Sequence, residues 1–128
     1  MVTTKEELKL IHDSVLLPLM LDMIEKSRQE IEQSKYSLRT LYATALNKLR
    51  EMLLTDMKEH RKQLMKANIK LWKVEVETGN IKYRFKTRGF ESDFELHRNM
   101  VKNDLSVKFG VYISRVSKSL SDMAQKKL

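Results

Sequence analysis

The chain has 128 residues, 41% hydrophobic and 33% charged, with 25 Lys and Arg against 17 Asp and Glu, three His and no Cys. One domain spanning residues 1–128 is expected, long enough to bury a core without disulfide or metal; wholesale disorder and thiol chemistry are excluded. Three Gly and one Pro leave few places to turn sharply, which favours long helices.

Thr3-Thr4-Lys5-Glu6 has capping-box spacing and predicts a helix running to about Ser34. Its apolar run, Val15 to Ile24, is interrupted by Pro18 and Asp22. Crossing a bilayer takes about twenty apolar residues, so this run predicts a buried helix and no membrane partner. The N-terminus places Glu6 and Glu7 directly after Lys5, unlike a signal peptide, and a cytoplasmic location is expected. Pro18 predicts a kink, with a break at Leu17 as the alternative. The next turn is expected near Ser34–Ser37. Leu46, Leu49, Leu53, Met57, His60, Leu64 and Ala67 then recur at steps of three and four, the stripe of a second helix.

The period changes to two at Trp72. Trp72, Val74 and Val76 alternate with Lys73, Glu75 and Glu77; Ile81, Tyr83 and Phe85 alternate with Lys82, Arg84 and Lys86. A β-hairpin within residues 70–88 follows. Pairing Val76 with Ile81, Val74 with Tyr83 and Trp72 with Phe85 puts all six inward and sets Glu75 against Lys82 outside. Ser92-Asp93-Phe94-Glu95 is a second capping-box spacing and predicts the start of the last helix, with Phe94, His97, Val101, Leu105, Phe109, Tyr112, Val116, Leu120 and Met123 on its buried side. Residues 107–113 also fit a third strand, but the helical stripe stays in phase on both sides of them. The predicted fold is mainly α: an elongated antiparallel three-helix bundle with a β-hairpin inserted between helices 2 and 3.

Charge is the sharpest functional signal. Residues 58–88 hold 10 Lys and Arg against 3 Asp and Glu, whereas residues 1–57 hold 8 against 9. Lys58, Lys62, Lys66 and Lys70 step by four, and Lys82, Arg84 and Lys86 share one strand face, with Arg88 continuing their parity. Rows of like charge repel, so the pattern points to an anionic partner, either DNA or RNA or an acidic protein. A solvated Lys-rich face that protects an edge strand is the alternative reading. The strand aromatics are expected on the opposite face, which argues against base stacking.

His12, His60 and His97 fall one per helix at similar levels, and Asp56 and Asp93 precede two of them by one turn. Three imidazoles with carboxylate orienters suit a divalent metal, although Asp–His at this spacing is also an ordinary helix-surface pair. No nucleophile elbow, Gly-rich phosphate loop or cofactor motif occurs, so no enzyme is expected. The leading expectation is a non-catalytic protein that binds an anionic partner through its basic surface. The alternatives are a protein–protein module, such as a homo-oligomer or adaptor with an incidental basic patch, and a His-based metal-binding domain.

Overall fold

The computed structural model describes residues 4–35, 37–74 and 80–126. Helix α1 spans Lys5–Gln33, α2 spans Arg39–Lys66 and α3 spans Arg98–Lys126. Between α2 and α3 lies an antiparallel sheet of β1 (Ile69–Val74), β2 (Ile81–Thr87) and β3 (Phe90–Leu96), in the order β1-β2-β3. The three-helix, mainly α architecture is the expected one, with one strand more than the hairpin. No described helix is long and apolar enough to cross a membrane.

The α1 capping box is Thr4–Glu7, one residue later than Thr3–Glu6. The Glu7 N–H donates to the Thr4 hydroxyl at 3.1 Å, and the Thr4 N–H donates to the Glu7 carboxylate at 3.4 Å. Two Thr followed by two Glu offer two frames. In the one adopted, Glu7 also meets Arg88, 2.7 Å away. The helix continues unbroken through Pro18, so the break at Leu17 does not occur. Ser34 caps it, its N–H and hydroxyl both donating to the Ile31 carbonyl. At the far end of α2, the Asn68 N–H donates to the Met65 carbonyl. Asn68 itself adopts φ +57°, a left-handed conformation that Asn tolerates, and turns the chain straight into β1.

Residues 92–95 do not open a helix. Arg88 (φ +52°) and Gly89 (φ +77°) form a two-residue hairpin loop, with Thr87 opposite Phe90. Positive φ at both central residues is the condition for a turn that matches strand twist. Phe90, Ser92, Phe94 and Leu96 then alternate with Glu91, Asp93 and Glu95 as β3. Phe94 packs on Tyr83 and Phe85 at ring-centroid distances of 6.0 and 6.2 Å. Stacking on the sheet's inner face therefore prevails over the local capping signal. Residues 107–113 are helical, as the continuous stripe requires.

The hairpin register is one residue away from the expected one. Leu71 faces Phe85, Ile69 faces Thr87, Trp72 faces Arg84 and Val74 faces Lys82. A slip of one residue exchanges the faces of a strand, so Ile69 and Leu71 point inward and Trp72 and Val74 point outward. The direct entry from α2 explains the choice, because it buries Ile69 against Ile11 and Phe85. In β2 the expected faces hold, with Phe85 buried, Ile81 and Tyr83 half-buried, and Arg84 and Lys86 exposed. The expected Val76–Ile81 and Glu75–Lys82 pairs involve residues outside the described ones.

The main core joins Val15, Leu16, Leu17, Met20 and Ile24 of α1 to Leu49 and Leu53 of α2 and to Val101, Leu105, Tyr112 and Val116 of α3. The sheet closes its end through Leu96, with Leu71, Ile81, Tyr83 and Phe94 packed against it. Gly110 lies exposed within α3, and a Cβ added there meets nothing within 4 Å. Gly110→Ala is therefore expected to raise stability by about 1 kcal/mol, read as a higher urea midpoint at unchanged slope. A lower midpoint would mean that this stretch of α3 is not an exposed regular helix.

Candidate functional site

Lys58, Lys62 and Lys66 project from exposed positions along α2. The chain then passes through Asn68 into β1, where Lys70 points outward and sits opposite Lys86 across the strand pair. Like charges directly opposite each other oppose pairing. Among the described residues none of these five lysines makes an ion pair, and neither does Arg61 on the same helix end.

The remaining cations of the expected patch are compensated. Lys82 lies 3.5 Å from Asp93, and Arg84 lies 3.4 Å from Glu91. Both acids come from β3, which sets Glu95, Asp93 and Glu91 opposite Lys82, Arg84 and Lys86. Arg88 does not continue the strand face. It occupies the β2–β3 turn and reaches back to Glu7 on α1, where its hydrogen bond holds the Glu7 carboxyl below the ordinary glutamate range despite burial. The uncompensated charge therefore runs along the end of α2 and over the β1 side of the sheet.

Trp72 also belongs to this surface. Its Cα partner is Arg84, so the indole shares the outer face with Lys70, Arg84 and Lys86, and it is 39% exposed. The expected separation of aromatic and basic faces holds for Tyr83 and Phe85 but fails for Trp72. Beside it, Asn68, Lys70, Lys86, Arg88 and Gly89 line a pocket of about 130 Å³. Small-molecule sites generally occupy roughly 300–1,000 Å³, so this one suits a single small group. The Ala67 and Asn68 N–H groups already serve the carbonyls that close α2, which leaves side chains to supply the positive charge.

The three histidines do not come together. His12 bonds to Asp104 of α3 at 3.2 Å, His60 sits on α2, and His97 is exposed between β3 and α3 rather than inside a helix. Asp93 is on the outer sheet face with Lys82. Asp56 accepts a short hydrogen bond from the Tyr112 hydroxyl and another at 2.9 Å from Arg115. Burial disfavours the Asp56 carboxylate, but these donors outweigh it and hold its carboxyl below the usual range. Asp56 thus ties α3 to α2. Among the described residues no group of three or more His, Asp and Glu is placed to hold a metal. His60 instead lines a groove of about 300 Å³ with Pro18, Met57, Arg61 and Leu64, its buried Nδ1 making no hydrogen bond among the described residues.

Sequence reasoning missed Asn68, Trp72 and Gly89 as parts of the surface. An Asn at the end of a helical stripe and an Arg-Gly pair between alternating runs are the signals that mark the two turns. Nothing local marks Trp72, whose side depends on register.

No curated protein and no solved structure matches the chain. A family model described as YhjD protein matches residues 2–117, which covers α1, α2, the whole sheet and most of α3. On that match, the chain belongs to the YhjD family.

Proposed function

We propose that this protein is a non-catalytic binding protein whose cationic surface, formed by the end of α2 and the β1 side of the sheet, engages nucleic-acid phosphates. The observation that carries the reading is the difference in pairing. Lys58, Lys62, Lys66, Lys70 and Lys86 lack ion partners among the described residues, whereas Lys82, Arg84 and Arg88 have them. Lys rather than Arg dominates the unpaired set, which favours phosphate contact over reading of base edges. Binding is expected to be largely independent of sequence and steeply dependent on salt, as measured by anisotropy of labelled oligonucleotides between 50 and 200 mM salt (about a fourfold range). No detectable binding to single-stranded or duplex nucleic acid at about 50 mM salt would overturn the proposal.

A second reading, a protein–protein module, rests on a different face. An apolar groove of about 430 Å³ lined by Tyr42, Leu46, Ile113 and Val116 opens between the helices. Met100, Val107, Val111 and Ile113 expose apolar surface on α3. A concentration-independent solution mass of about 15.2 kDa by light scattering would exclude self-association as its use.

A further inference from the structure

We infer that the outer sheet face takes single-stranded rather than duplex nucleic acid, with one base stacked on Trp72 and a neighbouring phosphate held between Lys70 and Lys86. This rests on the cationic-surface reading above, since Lys70 and Lys86 belong to both.

Three observations converge on it. Trp72 is the single Trp of the chain and is 39% exposed, although β-strand aromatics ordinarily seek the core. Its ring makes no aromatic contact among the described residues, in contrast to Tyr83, Phe85 and Phe94, which pack on one another inside. An exposed indole on a cationic face is the element that non-specific single-strand binders use, because every base has a π-face to stack.

The second observation is spacing. Lys70 and Trp72 are two residues apart on β1 and point the same way, which separates them by about 7 Å along the strand. That brings the indole and the 130 Å³ pocket within the span of one nucleotide and its phosphate. The third is charge. Arg88 is neutralised by Glu7, and the nearest β3 acid, Glu91, is engaged by Arg84. Lys70 and Lys86 face each other, and among the described residues neither makes an ion pair, Glu91 across from Lys86 being held by Arg84; a bound phosphate would supply the counter-charge. A duplex keeps its bases paired and stacked inside and offers Trp72 nothing to stack on, so the site distinguishes the two forms.

As the only Trp, Trp72 reports directly through its emission. Titration of the full chain with a single-stranded oligothymidylate at about 50 mM salt is expected to quench that emission to saturation. A hairpin duplex of equal length should bind more weakly by anisotropy and leave emission nearly unchanged. By anisotropy, Trp72→Leu should lose about tenfold in single-strand affinity, and Trp72→Phe should retain most of it. Lys70→Gln with Lys86→Gln should lower the log–log salt slope by about 1.4, at about 0.7 per single-strand phosphate. Circular dichroism melting of each variant should match the unaltered chain, since all three positions are exposed. Equal binding of both forms with unchanged emission, and Trp72→Leu as tight as the unaltered chain, would overturn the stacking inference and leave the cationic-surface reading standing. Absence of binding to either form would overturn both.

Discussion

Replacing Lys58, Lys62 and Lys66 with Gln is expected to collapse the salt dependence of single-strand binding. If Lys58, Lys62, Lys66, Lys70 and Lys86 each neutralise one phosphate, the slope is about −3.5, so affinity falls about 130-fold between 50 and 200 mM salt. With two lysines left the slope is about −1.4 and the same step costs about sevenfold. The reverse change sharpens the test. Asp93 and Glu91 hold Lys82 and Arg84 at 3.5 and 3.4 Å, so Glu91→Gln with Asp93→Asn frees two cations beside Trp72. That variant should bind more tightly, with the drop growing to about 900-fold. Neither set should move the melting temperature by more than about a degree or two, because exposed ion pairs contribute little to stability. A triple-Gln variant whose salt dependence equals that of the unaltered chain would move the binding surface elsewhere. An acid-to-amide variant with no gain would show that β3 does not restrain the β2 cations.

The largest stability effect is expected at Leu53. Its side chain is fully buried, in the cluster that holds Leu16, Leu17 and Met20 of α1 and Leu105 of α3. Leu53→Ala removes three side-chain carbons at the junction of three helices. Collapse into the gap is limited because Leu16, Leu17 and Met20 of α1 in the same cluster are themselves fully buried. Removal of a buried Leu in such surroundings costs about 3–5 kcal/mol. Domains of this size are stable by only about 5–15 kcal/mol, so a large part of the stability is lost. Urea titration should show a much lower midpoint with an unchanged slope. The exposed Leu41, at 57% exposure on the same helix, is the control and should change by less than about 0.5 kcal/mol. A Leu53→Ala cost below about 1 kcal/mol would mean that α3 does not close over this site.

Much of the fold is legible in local pattern. The apolar run from Val15 to Ile24 and the three- and four-residue steps of α2 and α3 identify buried helix faces, because a helix lacking such a stripe has nothing to bury. Alternation in β2 likewise sets Phe85 inward and Arg84 outward, since strand side chains alternate whatever lies around them. One element, β3, escaped. Residues 90–96 carry both a capping-box spacing and a period of two, and the two signals are comparable locally. Contacts of Phe94 with Tyr83 and Phe85, residues distant in sequence order from the helix it was expected to open, decide for the strand.

The surface shows the same division more sharply. The excess of Lys and Arg within residues 58–88 is a property of the sequence alone, and so is the four-residue row on α2. Which of those charges remain uncompensated is not. Asp93 and Glu91 reach Lys82 and Arg84 only because β3 forms and pairs antiparallel. Arg88 is neutralised because the turn aims it at Glu7, 81 residues earlier in the chain. Trp72 faces outward because Ile69 enters the core first, and the pleat then sets every later side chain of β1 by parity. Periodicity thus determined the helices, the β2 faces and the region of excess charge. Only tertiary packing, through register and long-range ion pairs, decided which residues present that charge and which aromatic stands beside it.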